Sequence, residues 1–214
     1  MTSSLTISNY LDALALTPGT PAGGAAAALM GAQGAALLHL VCALTLNKER
    51  YRDHWAINQD IMEKAHALYP RFLQMMEEDT QAYNSVSAAI KLPKETQEQK
   101  AERDLALQDA LKASTLSPLR IMEQAAQALV WVRQVAGKSN QAAASDLYCA
   151  AVNLQGCIQS AYSNVLANIQ LMKDQAFNQD IRARCASLLQ SLSLTEEVCR
   201  IIHPGNHLCL SEDP

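Results

Sequence analysis

The stretch that decides the fold is residues 22–47, which read AGGAAAALMGAQGAALLHLVCALTLN and contain no formally charged residue. A run of this length could span a membrane. However, it is built on alanine and glycine with Gln33 and His39 inside, and membrane insertion favours Leu, Ile, Phe and Val instead. We therefore expect the central helix of a bundle, buried on all sides, whose small side chains let neighbouring helices approach closely.

The composition of the whole chain also favours helices. Its 214 residues are 49% hydrophobic but only 5% aromatic, with 8 Gly and 7 Pro, whereas a sandwich or barrel needs β-branched and aromatic strands with frequent turns. At this length the chain can bury a large core. The net charge is −4 and no Lys/Arg run exceeds two residues, which argues against a nucleic-acid partner.

Hydrophobic spacing and helix-boundary residues predict seven helices in all. Besides residues 22–47, they cover residues 8–16, 55–90 with a bend at Pro70, 97–116, 117–137, 141–173 and 178–202. Thr96 and Gln99 form a capping-box pattern, and Pro118 suits the first turn of a new helix. Without an internal repeat or linker, the fold class is all-α: one antiparallel bundle over residues 1–202, followed by a flexible tail, residues 203–214.

Cysteine usage and the N-terminus predict a cytoplasmic protein. No C-x-x-C pair occurs and no secretory signal pattern opens the chain. The cysteines are therefore interpreted as reduced core residues: Cys42, Cys149, Cys157, Cys185, Cys199 and Cys209. His203 and His207 lie near Cys209, but in a Pro/Gly tail, and we expect no metal there.

The helix predicted over residues 141–173 carries two stripes. One is apolar: Leu147, Ala151, Leu154, Ile158, Ala161, Val165 and Met172. The other is polar and lies about 100° round the helix: Asp146, Asn153, Ser160, Asn164 and Asn168. Since Asp146 is the sole charge from residue 139 to 172, the polar stripe does not resemble a solvated face. Either it lines a ligand site, or its members bond one another or a partner subunit.

Asp79 is the second unusual carboxylate, because it interrupts an apolar stripe with Phe72, Met75 and Met76. Such a carboxylate has either a cationic partner or a raised pKa suited to proton transfer, and the sequence leaves both possibilities open.

Two further segments could meet a ligand. The Pro/Gly loop, residues 17–24, delivers the chain to a helix N-terminus, which favours an anionic or polar ligand; alternatively, its glycines only permit close packing. Lys91 and Lys94 flank Pro93, where they either bind an acidic substrate or are ordinary solvated lysines.

Several of these segments carry a resemblance. They are TPAGGAAAA at residues 20–28, Asp79 with Ala82 and Tyr83, AIKLPK at residues 89–94 with Lys100, Arg103 and Gln108, and SDL at residues 145–147 with YSNVLAN at residues 162–168. In them the sequence resembles the cyclodeaminase/cyclohydrolase family of folate enzymes, which includes the cyclodeaminase domain of formiminotransferase-cyclodeaminase and bacterial methenyltetrahydrofolate cyclohydrolases. The match extends over about residues 10–194.

The resemblance implies an all-helical homodimer that binds a tetrahydrofolate, often polyglutamylated, and needs no other cofactor, metal or membrane. It implies one of two reactions: closure of 5-formiminotetrahydrofolate to the 5,10-methenyl form with loss of ammonia, or hydration of the methenyl form to 10-formyltetrahydrofolate. The last two helices look closer to the cyclodeaminase.

Roles follow from the resemblance. Asp79 and Asp146 would transfer protons or anchor the pterin, Asn164 and Asn168 would orient the ring, and Pro21, Gly23 and Gly24 would form a close-approach loop. Lys91, Lys94 and Arg103 would face the glutamate carboxylates.

One difference from the usual family sequence favours an alternative to an enzyme. The usual turn is Pro-Gly-Gly-Gly-Ser, whereas here it reads Pro21-Ala22-Gly23-Gly24-Ala25. Losing a glycine and a hydroxyl leaves open a non-catalytic member that binds another ligand or a partner protein.

Overall fold

The computed structural model describes residues 2–16 and 20–205, and within them it is all-α, as predicted. The α-helices are α1 (Ile7–Ala15), α2 (Gly23–Leu46), α3 (Trp55–Ile90), α4 (Gln97–Val135), α5 (Ala144–Ile169), α6 (Gln175–Leu189) and α7 (Ser193–Ile202). Short 3-10 turns lie at Thr2–Ser4, Glu49–His54, Gln141–Ala143 and Gln190–Leu192. Part of the Pro/Gly loop, residues 17–19, and the tail residues His207 and Cys209 lie outside the described residues, so the division at residue 202 stays a prediction.

Four long helices form a ring around the core. Helix α2 packs against α3 and α5, and α4 packs against the same two helices from the opposite corner. Helices α6 and α7 lie against α4 and α5 and cover that side of the ring. Every member of the apolar stripe predicted over residues 141–173 is buried, but α5 ends at Ile169, so Met172 lies beyond the helix that carries the others.

Helix α2 corrects one expectation: it is not buried on all sides. Gln33, Ala36, Leu40 and Leu44 are exposed, since α3 and α5 cover only two sides of a corner helix. Among the described helices, α2 is the one long and apolar enough to cross a membrane, and half of it is buried in the bundle. Its glycines do allow close packing, because a Cβ at Gly31 would lie 2.6 Å from the Phe72 ring.

Helix α4 corrects a second expectation, that one helix ends near residue 116 and another begins at Ser117. It runs without a break through Pro118. Proline has no N–H, so it cannot bond the carbonyl of Ser114 four residues earlier. Asn168 on α5 supplies the missing donor, since its Nδ2 donates to the Ser114 oxygen at 2.7 Å. The helix continues because this buried carbonyl is satisfied from a neighbouring helix.

The single helix predicted over residues 178–202 is two helices, α6 and α7, joined by a 3-10 turn. The hydroxyls of Ser191 and Ser193 donate to the carbonyls of Leu188 and Gln190, three residues earlier, at 2.7 and 3.0 Å. Serine hydroxyls that bond nearby carbonyls compete with regular helix, which is why a pattern of apolar spacing alone misses this break.

The cysteines within the described residues are all free thiols, as predicted. Cys42, Cys157, Cys185 and Cys199 are buried, and burial raises the pKa of Cys42 and of Cys157 to about 12, so these thiols stay protonated. Cys149 on α5 is exposed, so the prediction that it is a core residue was wrong.

Candidate active site

Asp79 on α3 lies directly against the first turn of α2. A Cβ built on Gly24 would be 2.5 Å from the Asp79 Cγ, so a side chain at residue 24 would occupy the space of the carboxyl group. The two meet because α2 starts at Gly23 and Gly24, where α3 passes close to the helix end. A glycine at residue 24 is therefore required by close approach.

The Asp79 carboxyl forms no ion pair with any described residue. Burial raises its pKa from 3.8 to about 6. The side chain of Ser117 on α4 lies near enough to lower the Asp79 pKa and so offsets part of this rise. The buried Ser117 hydroxyl nevertheless has no hydrogen bond of ordinary geometry within the described part of the chain. Of the two possibilities that the sequence left open for Asp79, the structure supports the raised pKa.

Asn164 on α5 completes this end of the site. Its side-chain amide lies 3.3 Å from the position of a Cβ on Gly23. Its Nδ2 donates to the Ser160 carbonyl at 2.8 Å, which leaves the Oδ1 acceptor beside the start of α2. Asp79, Gly23, Gly24 and Asn164 therefore form one cluster, called here the Asp79 end.

Asn168 lies one helical turn beyond Asn164, but its NH₂ group is bound to the Ser114 carbonyl of α4.

Pro21 is buried just before α2. Ala25 is fully buried in the core, so its methyl group does not narrow the Asp79 end. Ala22 is the N-cap residue of α2 and makes no side-chain cap, which leaves the first N–H groups of the helix for another partner.

Asp146 lies at the opposite end of the bundle. It is 18 residues from Asn164 on the same helix, which corresponds to about 27 Å. It lines an open cavity with Lys48, Arg50 and Asn140, called here the Asp146 end. A single chain therefore does not bring the two candidate carboxylates together.

The predicted glutamate-binding cations lie on the tip of the α3–α4 hairpin. Lys91 and Lys94 are exposed, and the Nε of Arg103 donates to the Ile90 carbonyl at 3.1 Å. Lys94 and Arg103 line one surface cavity together with Lys100 and Asp104, neither of which the sequence singled out as a site residue. Lys91 follows the last residue of α3 and is 12 residues from Asp79, about 18 Å, so the tip is separate from the carboxyl.

Sequence reasoning also missed Ser117. The Ser117-Pro118 pair was interpreted as the start of a helix, and no other signal in the sequence connects that hydroxyl with Asp79.

The arrangement as a whole is an all-helical bundle with a candidate proton-transfer site at one end. A carboxyl group with a pKa near neutrality, held beside a free helix N-terminus and an amide, can donate or accept a proton at physiological pH.

Comparison with known proteins gives the family. A model described as formiminotransferase-cyclodeaminase matches residues 6–187. The chain is 34% identical to methenyltetrahydrofolate cyclohydrolase of Methylorubrum extorquens over 92% of its length and 95% of the relative's. It is also 34% identical to formimidoyltransferase-cyclodeaminase of Sus scrofa over 79% of its length, spanning 31% of that protein. The protein belongs to the formiminotransferase-cyclodeaminase family, enzymes of folate one-carbon metabolism.

A solved structure supports the fold. Formiminotetrahydrofolate cyclodeaminase from Thermotoga maritima superimposes with a TM-score of 0.85 and 22% identity, covering 94% of this chain and 98% of that one. The resemblance stated from the sequence motifs is thus confirmed at the level of family and fold.

Proposed function

We propose that this protein is a formiminotetrahydrofolate cyclodeaminase, which converts 5-formiminotetrahydrofolate to 5,10-methenyltetrahydrofolate and releases ammonia. The observation that carries the proposal is Asp79, a partly buried carboxyl whose pKa of about 6 lets both of its protonation states exist near neutral pH. The Asn164 amide and the open N-terminus of α2 would orient the substrate beside it.

The chemistry requires a group that gives up a proton. N10 of the folate attacks the formimino carbon and its proton passes to the imino nitrogen, which leaves a tetrahedral carbon bonded to N5, N10 and an amino group. The protonated Asp79 carboxyl then donates its proton to the amino nitrogen. The carbon–nitrogen bond breaks, ammonia leaves, and N5 and N10 share the positive charge of the methenyl product.

A second candidate is methenyltetrahydrofolate cyclohydrolase, favoured by the nearly end-to-end match with the Methylorubrum enzyme. In that reaction the Asp79 carboxylate would take a proton from water as its oxygen bonds to the methenyl carbon. The bond from this carbon to N5 then breaks as the hydroxyl proton is transferred to N5, the remaining oxygen becomes the formyl carbonyl, and 10-formyltetrahydrofolate forms. Following the methenyl absorbance separates the two, because a cyclodeaminase produces the chromophore from 5-formiminotetrahydrofolate and a cyclohydrolase consumes it.

The pH profile gives an independent test of the same choice. If Asp79 is the acid of a cyclodeaminase, turnover is highest below pH 6 and falls as pH rises through the pKa of about 6. If it is the base of a cyclohydrolase, turnover rises over that same range. The measurement is kcat at saturating folate from pH 5 to pH 8. If the Asp79→Asn variant keeps the change in kcat that the native protein shows near pH 6, another group is responsible for that titration.

We further propose that the cations on the α3–α4 tip bind the glutamate tail of the substrate. Replacing Lys91, Lys94 and Arg103 together with Gln should raise KM for a polyglutamylated folate about 10-fold or more and change kcat little, because the tip is distant from the reacting carbon. KM for the monoglutamate form serves as the control, because its one glutamate residue reaches fewer of these cations. An equal change in both KM values would contradict tail binding.

The proposal includes a homodimer in the cytoplasm that uses no metal and no cofactor beyond the folate, with no nucleic-acid or membrane partner. The rival, a non-catalytic member that binds another ligand, is tested by calorimetry with tetrahydrofolate and its 5-formimino and 5,10-methenyl forms. The absence of binding heat with all three compounds would favour the rival, as expected if Ala22 had removed a folate contact.

A further inference from the structure

Two histidine rings lie beside each other where α2 packs against α3. His39 belongs to α2 and His66 to α3, and their ring centres are 5.2 Å apart with an angle of 42° between the ring planes. The proposed reaction uses neither ring, because His39 is 15 residues along α2 from Gly24, about 22 Å. The pair is therefore a feature that the proposed function does not explain.

The ring of His39 is held by a backbone carbonyl of the neighbouring helix. Its Nδ1 lies 3.2 Å from the Met62 oxygen on α3. Because a carbonyl only accepts hydrogen bonds, Nδ1 carries the proton, and Nε2 of the neutral ring keeps its lone pair. Histidines that bind metal ions usually donate their other N–H to a carbonyl or carboxylate, which fixes the tautomer and orients the ring. His39 is thus prepared for a ligand at Nε2.

His66 lies one helical turn after Met62, which explains why the two rings meet. The ring of Tyr69 packs edge-on against His66, with their centres 5.5 Å apart, and this contact restricts the His66 ring. Neither ring nitrogen of His66 is hydrogen-bonded to a described residue, and the side chain is exposed. Its nitrogens are therefore accessible to an ion from solvent.

The distance between the rings matches that of two histidines on one metal ion. A Zn–N bond is about 2.0–2.1 Å long and a ring nitrogen lies about 1.2 Å from the ring centre, so each centre lies about 3.2 Å from the ion. At the tetrahedral angle of about 109°, the two centres are then about 5.2 Å apart. The observed separation of His39 and His66 is the same, so binding requires at most a rotation of the exposed His66 ring.

We propose that His39 and His66 together bind one divalent transition-metal ion of the class that prefers imidazole, such as Ni²⁺, Cu²⁺ or Zn²⁺, and that this ion links α2 to α3. The described residues contain no group of three or more His, Cys, Asp or Glu side chains suited to a metal, so water completes the coordination. With two protein ligands the ion exchanges readily, unlike the ion of a four-ligand structural zinc site. It stabilises the helix pair and takes no part in the proposed reaction.

Nickel titration tests the site directly. Native chain without an affinity tag, His39→Gln, His66→Gln and His54→Gln are titrated with NiCl₂ in a calorimeter. His54 is the matched control, because no second histidine ring contacts it among the described residues. The native chain and His54→Gln should bind one ion per chain, and the other two variants should bind it at least about 10-fold more weakly. Equal affinity in the native chain and His66→Gln, as expected for an ion held elsewhere, or no binding by the native chain, would overturn the proposal.

Thermal unfolding tests the link between the helices. The two histidines are 27 residues apart in the chain, so only the folded protein brings their rings together and the ion should stabilise it. At a nickel concentration about 100-fold above the Kd, Tm of the native chain and of His54→Gln should rise by about 5 °C or more. His66→Gln, whose side chain is exposed, should fold normally by circular dichroism and show little rise. An unchanged native Tm, or an equal rise in His66→Gln, would refute the metal link.

Discussion

Asp79→Asn should abolish most of the turnover while making the protein more stable at alkaline pH. General acid–base groups contribute about 10²–10⁴-fold to rate, and an amide of the same shape cannot transfer the proton. Because Asp79 is the one described carboxyl that burial holds at a pKa of about 6, no neighbouring group can take its place. Turnover at saturating folate measures the loss.

The gain in stability has a definite sign. The folded-state pKa of Asp79 is raised from 3.8 to about 6, so between pH 4 and pH 6 the unfolded chain ionises first and the free energy of unfolding falls as pH rises. Above pH 6 the ionised carboxylate costs the folded state about 3 kcal/mol. Asp79→Asn should recover a large part of this at pH 8 and none of it below pH 4.

Urea unfolding at pH 4 and at pH 8 measures the difference. Asp109→Asn is the matched control, because Asp109 is exposed on α4 and forms no ion pair with the described residues. It should leave turnover and the pH dependence of stability unchanged. An Asp79→Asn protein with native turnover would remove this carboxyl from the reaction, and one without the gain at pH 8 would show that burial does not raise its pKa.

Gly24→Ala should have the second largest effect, a large loss of activity with at most a small loss of stability. The new Cβ would lie 2.5 Å from both Cγ and Oδ1 of Asp79, and a side chain this short can escape only by rotating away from α2. A displacement of about 1 Å in a catalytic group can cost on the order of 10²-fold in turnover. Alanine favours a helix over glycine by about 1 kcal/mol, so the melting temperature should not fall steeply.

Gly23→Ala provides a graded comparison at the adjacent residue. Its Cβ would lie 3.3 Å from the Asn164 amide, a contact that a shift of a few tenths of an ångström relieves. We expect a loss of turnover below about 10-fold, and steady-state kinetics of both variants measure the difference. Equal losses at the two positions would mean that the glycines serve the packing of α2 as a whole, and that the Asp79 contact is not special.

The sequence predicted the elements of the fold better than their boundaries. Residues 55–90 were predicted as one helix and are one, because the apolar spacing and the break after Ile90 are both local signals. Pro118 was interpreted as a helix start on equally sound local grounds. The prediction was wrong because Asn168, 50 residues away in the chain, satisfies the carbonyl that Pro118 leaves unpaired.

In the candidate site, too, the sequence predicted individual residues but not which of them meet. Asp79 was predicted from its apolar neighbours, and Gly24 from its place in the loop, but their contact depends on how α3 passes the start of α2. Asp146 was placed beside Asp79 in function because both carboxylates were expected in weakly polar surroundings. Spacing along a helix cannot show that they lie at opposite ends of one chain, since that depends on which helix ends meet.

The sequence by itself determined the helical class, the family and the two uncharged helices, because helix propensity, apolar period and motif order are all properties of neighbouring residues. Only the tertiary structure decided that α2 is half exposed, that α4 continues through Pro118, and that Asp79 rests on Gly24 with a pKa of about 6. These features depend on desolvation and on hydrogen bonds between distant segments, which exist only once the helices have packed.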